Sequence, residues 1–285
     1  MSSLAPTKRD YPTNTLPGDP GLFPWFRKVL VSTVGSKFIL ALSGWGLTGF
    51  VIIHMLGNIQ LFAGQEAVNR YAQWLKDLGP LLWVARIGLL IVFLFHVIWA
   101  VRLSLKSKAA RPVAYVYKDT VQASLASRTM LLTGLVIFAF LLYHLAHYTF
   151  GFTGKAEAAF LPVKSGPAAA RAVGSTQTAA VKSVSYLDLR DDRGRHDVYN
   201  MVIFGFEQPV VAVLYILAQL VLLMHLSHGV QSTFQSLGIN GPRWQTTIRA
   251  FGWAVALIVT LGNIAIVVGV WAGWTPHTPN LYAAF

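Results

Sequence analysis

The stretch that decides the fold is "VVAVLYILAQLVLLMHLSHGVQSTFQSLGIN", residues 210–240. Its first half is almost entirely apolar, which predicts a helix that crosses a lipid bilayer, because a crossing takes about 20 apolar residues. Two histidines, His225 and His228, follow within the same predicted helix. An ionisable side chain inside a bilayer costs free energy unless it has a partner, so both are candidate functional residues.

The composition of the whole chain indicates a membrane protein. The 285 residues are 54% hydrophobic and only 12% charged, and the mean hydropathy is +0.53. A soluble domain with this balance would expose large apolar patches. The net charge of +12 does not indicate nucleic-acid binding, because the basic residues flank the apolar stretches, as membrane topology requires.

The apolar pattern predicts an all-α integral membrane protein, a bundle of five transmembrane helices. The predicted spans 1 to 5 are residues 38–62, 81–105, 129–151, 207–234 and 250–274. Between spans 1 and 2, the stretch "GQEAVNRYAQWLKDLGP" (64–80) predicts a short amphipathic segment at the membrane surface. The predicted domains are an N-terminal tail, the membrane domain, a polar outer loop within it, and a C-terminal tail: residues 1–30, 31–274, about 152–205, and 275–285.

The distribution of Lys and Arg predicts the orientation of the bundle. The N-terminal tail and the connections between spans 2 and 3 and between spans 4 and 5 share one side, which carries most of the net positive charge. The positive-inside rule places that side in the cytoplasm and the C-terminus outside. The N-terminal tail lacks the apolar segment of a signal peptide. We therefore expect a multi-pass protein of the cell inner membrane.

Histidines are the candidate ligands, since the chain has eight of them and no cysteine. The lack of cysteine excludes disulfides, thiolate ligation of an iron–sulfur cluster by this chain, and covalent attachment of c-type haem. His196 and His277 lie in polar segments, where no ligand role is indicated. The other six lie inside predicted spans: His54, His96, His144, His147, His225 and His228. A single histidine in a span is explained equally well as a neutral ring hydrogen-bonded between helices. Histidines on four separate spans, however, favour a shared function.

Depth in the membrane sorts four of these histidines into two pairs. Spans 1 and 3 run outward, and His54 and His144 each follow about 15 residues of helix, roughly 22–24 Å, into a layer about 30 Å thick. They therefore form an outer pair. Spans 2 and 4 run inward, and the same arithmetic makes His96 and His225 an inner pair. The members of each pair come from different helices.

Two histidines at one depth on different helices suit a bis-histidine haem, because the two imidazoles must approach the iron from opposite faces of the porphyrin. Two such pairs predict two haems, one near each membrane surface. Zinc is the alternative metal, and it would need three or four donors at one depth. The spans offer no cysteine and no carboxylate at mid-depth to complete such a set.

Small residues in the spans could leave room for a flat group. They are the stretch "SGWG" (43–46), Gly88, Gly134 and Gly229. Close packing of helices explains the same residues equally well. Cations near the inner surface could bind haem propionates, and the candidates are Arg102, Lys106 and Arg128, although the positive-inside rule accounts for these residues too.

Four motifs resemble those of a known family. They are "FVIIHMLGN" (50–58), "FHVIWAVRL" (95–103), "YHLAHYTFG" (143–151) and "MHLSHGVQSTFQSLGIN" (224–240), and the last is the most specific. Over about residues 31–274 the chain resembles the cytochrome b membrane subunit of succinate dehydrogenase or fumarate reductase, of the single-chain, five-helix, two-haem type. The stretch "DVYNMVIFGFEQPVVAVLYI" (197–216) also resembles that family.

The resemblance implies which histidines are axial ligands of the haem iron. They are His54 and His144 for an outer haem b, and His96 and His225 for an inner haem b. The family pattern "HL" favours His144 over the nearby His147, and a glycine four residues after the ligand favours His225 over His228. The two extra histidines, His147 and His228, could then hydrogen-bond a propionate, a quinone or a neighbouring helix.

The resemblance also implies partners and a role. A flavoprotein subunit that oxidises succinate to fumarate in the tricarboxylic acid cycle and an iron–sulfur subunit would dock on the cytoplasmic side, as in complex II. This chain would anchor both in the lipid and pass electrons to a quinone, with menaquinone as the quinone expected, and the complex could form higher oligomers. The sequence does not choose among the candidates for the quinone site: Glu66 and Arg70 on the outer side, and Ser43, Ser227 and His228 on the inner side.

Two alternative functions remain open from the sequence. The first is the cytochrome b subunit of another membrane oxidoreductase, of the hydrogenase or formate dehydrogenase type, with the same haem chemistry and a different soluble partner. The second is a transporter or plain anchor without a redox group, in which the histidines are structural or relay protons.

Overall fold

The computed structural model describes residues 32–110, 113, 123–160 and 180–278. The predicted N-terminal tail, the centre of the predicted outer loop and the end of the C-terminal tail lie outside the described residues. Most of the described chain is helical.

Five helices are long and apolar enough to cross a membrane, as the sequence predicts. In chain order we label the helices that build the bundle and its connections α1 to α7. They are α1 (Thr33–Ile59), α2 (Gln65–Asp77), α3 (Pro80–Ala109), α4 (Met130–His144), α5 (Val198–Glu207), α6 (Pro209–Ser236) and α7 (Pro242–Trp271). The five candidate spans are built on α1, α3, α4, α6 and α7.

The helices begin where the local sequence supplies a start signal. The Ser32 hydroxyl accepts a hydrogen bond of 2.9 Å from the Gly35 N–H and caps α1, satisfying a donor that has no partner inside the helix. Helices α3, α6 and α7 each carry a proline in the first turn. Proline fits there because its missing N–H would have no intrahelical acceptor.

Helix α7 begins earlier than the predicted span 5. The preceding stretch "PRWQTTIR", residues 242–249, is polar, and it forms the first two turns of the helix. Hydropathy marks the part of a helix that suits lipid, whereas the helix itself continues until a breaking residue such as Gly241 intervenes. The same reasoning explains why α1 begins at Thr33 rather than at Phe38.

The chain between spans 1 and 2 forms a 3₁₀ turn, Gln60–Ala63, followed by α2. Gly64 stands between them with φ +95°, a backbone conformation that favours glycine. Helix α2 buries Val68 and Asn69 on one side, in agreement with the predicted amphipathic segment.

The outer loop is more structured than the all-α prediction implies. Strands β1 (Lys155–Phe160) and β2 (Ala180–Ser185) pair antiparallel, with Lys155 opposite Ser185 and Phe160 opposite Ala180. A 3₁₀ turn, Tyr186–Asp188, and helix α5 follow. The small two-stranded sheet is an addition to a helical protein, and a stretch rich in alanine and serine gives no strong strand signal.

Helix α4 changes its winding directly after His144. The next five residues, Leu145–Thr149, form a π-helical turn, closed by a 2.8 Å hydrogen bond from the Phe150 N–H to the Leu145 carbonyl. Such turns are rare and occur frequently at functional sites.

The bundle is packed unevenly. Helices α6 and α7 share the most extensive contact, and close approach is possible where Gly252 of α7 meets the backbone of Ser227 on α6. Helix α3 packs mainly against α1, and no residue of α3 is buried. The best-packed apolar cluster lies where α5 meets α6 and α7, around Tyr199, Phe206 and Tyr215.

A buried carboxylate fastens the connections to each other. Asp197 is fully buried, and its side chain accepts hydrogen bonds from Gln65 (3.0 Å) and Asn69 (3.1 Å) of α2 and from the Asn200 side chain (2.6 Å) of α5. Asn200 also donates to Thr278 beyond α7. This network, which we call the Asp197 cluster, joins α2, α5 and the C-terminal segment.

Candidate functional site

The outer pair consists of His54 on α1 and His144, the last residue of α4. The centroids of the two imidazole rings are 5.8 Å apart, and the ring planes cross at 88°. His54 also stacks on Phe50, one turn earlier on α1, with a centroid distance of 5.5 Å. The structure thus brings together two histidines that are far apart in the chain.

The inner pair consists of His96 on α3 and His225 on α6. Their ring centroids are 6.4 Å apart, and the planes cross at 68°. In both pairs the two histidines are those that the sequence predicts at the same depth in the membrane. The remaining two histidines in the spans, His147 and His228, lie one turn beyond His144 and His225.

The separations within both pairs fit one metal atom held between two rings. Imidazole nitrogens bind transition metals at roughly 2 Å, which places the two ring centres about 6 Å apart. Within the described part of the chain, no group of three or more His, Asp or Glu side chains converges to hold a metal. Each arrangement is therefore a pair of histidines.

Hydroxyl groups hold the rings of the inner pair. His96 Nδ1 lies 3.3 Å from Ser43 Oγ on α1, and His225 Nδ1 lies 3.2 Å from Thr133 Oγ1 on α4. The Ser43 hydroxyl donates its own proton to the Ile39 carbonyl at 2.8 Å. In the same way, Thr133 donates to a carbonyl one turn back, that of Met130, at 3.0 Å.

These contacts assign the tautomer of the inner pair. Because each hydroxyl already donates its proton to a backbone carbonyl, it can only accept from the imidazole, so the proton of His96 and of His225 is placed on Nδ1. Nε2 is then left with a free electron pair. A hydrogen-bonded Nδ1–H and a free Nε2 are the arrangement found in histidines that bind metals.

Glycines border the rings of the inner pair. A Cβ added to Gly44 on α1 would stand 3.4 Å from Cε1 of His96, and one added to Gly134 on α4 would stand 3.4 Å from Cε1 of His225. Gly229 does not face a ring, since the nearest atom to an added Cβ is the Met130 methyl at 3.9 Å. Gly88 faces open space. Of the predicted small residues, Gly44 and Gly134 border a candidate ligand, in addition to Ser43, whose hydroxyl contacts His96.

The surface around the pairs is incompletely covered by protein. His54 is exposed, and His96, His144 and His225 are partly exposed, although all four lie within candidate membrane spans. No residue of α3, the helix that carries His96, is buried. The rings are therefore open to whatever surrounds the helices, which could be lipid or a bound apolar group.

The hydroxyl of Tyr215 contacts His144 of the outer pair and the nearby His147. Its hydroxyl lies 3.1 Å from Nδ1 of His144 and 3.1 Å from Nδ1 of His147. His147 is buried, with 2% of its surface exposed, and it belongs to the π-helical turn. His228, in contrast, is half-buried on α6, and no hydrogen bond to it is found among the described residues.

Two arginines of the outer loop form ion pairs with helix α2. Glu66 of α2 accepts from Arg193 at 2.9 Å and from Arg195 at 2.6 Å. The hydrogen bond from Arg195 is the main reason why the pKa of Glu66 lies below its ordinary value, with smaller Coulomb contributions from Arg195, Arg193 and Arg70. Of the two outer candidates for a quinone site, Glu66 is thus the shared acceptor of these ion pairs, and Arg70 acts on it through its charge.

His196 and His277 each contact a polar group of the protein. His196 Nε2 donates to the Tyr186 carbonyl at 3.0 Å, and burial is the main cause of a lowered pKa for this ring. His277 lies 2.7 Å from the Glu207 carboxylate.

Three residues of the site escape sequence reasoning: Thr133, Tyr215 and Asp197. Thr133 and Tyr215 are polar groups within apolar spans. Thr133 lies in none of the quoted motifs, and Tyr215 lies in the stretch 197–216, whose resemblance to a known family assigns this residue no role. Asp197 looks like an ordinary cap of α5, since its side chain accepts from the Asn200 N–H. Its further partners come from α2, well over a hundred residues away in the chain.

The fold and the site define a class: a multi-pass helical membrane protein with two histidine pairs inside its candidate spans, each pair contributed by two different helices. Comparison of the chain with family models, with curated proteins and with solved structures gives no match.

Proposed function

We propose that this chain is the membrane anchor and di-haem cytochrome b subunit of a succinate:quinone oxidoreductase. The observation that supports it best is the meeting of four histidines from four helices as two pairs, His54 with His144 and His96 with His225. The hydrogen bonds that these rings make to neighbouring helices engage Nδ1, and within each pair the ring centroids lie at about the spacing that a shared metal would give.

In this proposal the outer pair holds one haem b and the inner pair holds another. A haem with histidine on both axial positions supplies a one-electron carrier that does not bind oxygen. The protein contributes the orientation of the rings through Ser43, Thr133 and Tyr215, the space beside Gly44 and Gly134, and an apolar surrounding that excludes water. Such surroundings tune the potential of a bound redox group.

The predicted topology sets the order of the two pairs across the membrane. With the N-terminus in the cytoplasm, the inner pair lies nearer the soluble partners, and the outer pair lies nearer the opposite surface. The proposed partners are a flavoprotein subunit and an iron–sulfur subunit on the cytoplasmic side, near the end of α6. The proposed electron acceptor or donor in the lipid is a quinone of the menaquinone type.

Haem analysis of the purified protein tests the proposal. We expect about two haems b per chain in a pyridine-haemochrome assay on the detergent-solubilised complex. A protein without haem would contradict the proposal and favour a transporter or plain anchor.

The subunits that co-purify test the partner. A subunit with covalent flavin supports succinate:quinone oxidoreductase. A nickel or molybdenum subunit alongside two haems would instead identify a hydrogenase or formate dehydrogenase type of complex, with the same membrane chemistry.

A further inference from the structure

The hydroxyl of Tyr215 is shared by two imidazoles. It lies 3.1 Å from Nδ1 of His144 and 3.1 Å from Nδ1 of His147. The first of these is a member of the outer pair, and the second is the extra histidine one turn later. A single side chain on α6 thus contacts both histidines of the α4 end.

The position of this hydroxyl is fixed by packing. Tyr215 is buried, and its ring packs edge-on against Phe140 at 4.9 Å and against Phe206 at 5.1 Å between ring centroids. His147 is likewise buried. Helix α4 widens into its π-helical turn between the two histidines, and both Nδ1 atoms reach the same oxygen.

Counting protons determines how the three groups are bonded. A tyrosine hydroxyl carries one proton, so it can donate to only one of the two nitrogens, and the other nitrogen must donate to it. If Nε2 of His144 is the ligand of the outer pair, the ring proton is on Nδ1 and is donated to the Tyr215 oxygen. The hydroxyl proton is then donated to Nδ1 of His147. This order satisfies every group in the contact.

We propose that Tyr215 is a positioning residue of the outer pair: it accepts the Nδ1–H of His144, leaves Nε2 for the metal shared with His54, and is itself oriented by His147. The proposal rests on the proposed haem function. It gives His147 a role that does not require it to be a ligand. It also sets the outer pair apart from the inner pair, where serine and threonine hydroxyls directed by backbone carbonyls hold the rings.

The test compares Tyr215→Phe with Tyr148→Phe in the full haem-containing complex. Tyr148 is a matched control, because its ring lies 5.8 Å from the His144 ring, the same distance as that of Tyr215. Its buried hydroxyl, in contrast, has no hydrogen-bond partner among the described residues. The measurements are haem per chain, the midpoint potential of each haem by redox titration, and the g-values of the oxidised haems by electron paramagnetic resonance. The outer haem is identified as the one absent from His54→Ala.

A hydrogen bond from Nδ1–H makes an imidazole a more basic ligand, which favours oxidised iron. We therefore expect Tyr215→Phe to raise the midpoint potential of the outer haem and to shift its g-values, while the inner haem and all properties of Tyr148→Phe stay as in the wild type. Loss of the outer haem from Tyr215→Phe alone would also support the role. His147→Phe should shift the outer potential in the same direction by a smaller amount.

Two results would overturn the inference. One is an outer potential in Tyr215→Phe that equals that of the wild type, and the other is an equal change in Tyr215→Phe and Tyr148→Phe. If the wild-type complex contains two haems, either result rejects the role of Tyr215 alone. A wild-type complex without haem rejects the proposed function itself.

Discussion

Thr133 on α4 and His225 on α6 are joined by a hydrogen bond of 3.2 Å between Oγ1 and Nδ1. The threonine proton is already donated to the Met130 carbonyl, so the direction of the bond is set: the imidazole donates. The contact between Ser43 and His96 has the same direction. Both members of the inner pair are therefore held with Nε2 free.

Removing these acceptors should change the inner haem without unfolding the bundle. Hydrogen bonds between membrane helices contribute about 0.6 kcal/mol on average, so Thr133→Val and Ser43→Ala should fold and bind two haems. We expect each to raise the midpoint potential of the inner haem, because its ligand loses a hydrogen bond at Nδ1. Redox titration measures this. Thr48→Val is the control, since the Thr48 hydroxyl donates to the Gly44 carbonyl and has no hydrogen bond to an imidazole among the described residues. An equal shift in all three variants would contradict the prediction.

Alanine substitutions of the histidines should separate the two haems. We expect His54→Ala and His144→Ala to lose one haem and His96→Ala and His225→Ala to lose the other, so that each variant retains about one haem per chain. The optical spectrum and the midpoint potential of the haem that remains identify which one is lost. If His54→Ala and His225→Ala lose the same haem, the pairing is wrong.

The two extra histidines provide the controls for these variants. His147→Ala and His228→Ala should retain both haems, because neither ring belongs to a pair. If His147→Ala lost a haem and His144→Ala kept both, the ligand on that helix would be His147 and not His144. The same comparison of His228→Ala with His225→Ala tests the ligand on α6.

Crowding the rings of the inner pair should displace its haem selectively. At Gly134 an added Cβ would already touch Cε1 of His225, so the two further methyl groups of Gly134→Val should push the ring and lower the inner haem content well below one per chain. Gly229→Val is the control on the same pair, because Gly229 faces only the flexible Met130 side chain. Haem content and the optical spectrum are measured for both variants. A greater loss of haem from Gly229→Val than from Gly134→Val would contradict the prediction.

The contrast between Gly134 and Gly229 shows what the sequence can and cannot predict. Helix rise and span direction are general, so they predict the height of each histidine in the membrane, and heights group His54 with His144 and His96 with His225. The direction in which a residue points around its helix depends on how the helices pack. The sequence therefore offers Gly134 and Gly229 alike as small residues, whereas the structure places Gly134 of α4, and not Gly229, beside the His225 ring.

Partners that come from another helix are hidden for the same reason. Tyr215 contacts His144 and His147 only because α6 lies against the end of α4, and no spacing within either helix predicts that contact. The five long apolar helices are confirmed as candidate spans, and the sequence could predict them because hydropathy is a local property. The small sheet of the outer loop is missed because strand pairing joins residues that are distant in the chain.

The Asp197 cluster should contribute strongly to stability. Four donors converge on this buried carboxylate, from Gln65, Asn69 and both the N–H and the side chain of Asn200. Asp197→Asn keeps the shape of the side chain, but its NH₂ group then faces two of these four donors. Asn69 cannot compensate by flipping its amide, because its oxygen accepts from the Tyr199 N–H.

We expect Asp197→Asn to lower the free energy of unfolding by about 1–3 kcal/mol. Thermal unfolding in detergent measures the change as a fall of several degrees in Tm. Asp192→Asn is the control, since Asp192 is exposed in the same loop and should unfold at the wild-type temperature. An unchanged Tm in Asp197→Asn would show that the cluster does not stabilise the bundle.

Protonation of His196 should weaken the outer loop below neutral pH. Burial lowers the pKa of this ring from the ordinary value of 6.5, and nearby Lys76 and Arg190 lower it further. Between the folded and the unfolded pKa, His196 is protonated in the unfolded chain and neutral in the folded protein. The stability is therefore fully present above pH 6.5 and falls as the pH drops toward the folded pKa. We expect Tm to decrease from pH 7 to pH 5 and the decrease to be smaller in His196→Gln, whose amide can still donate to the Tyr186 carbonyl. Equal slopes of Tm against pH in the two proteins would assign the acid sensitivity to other groups.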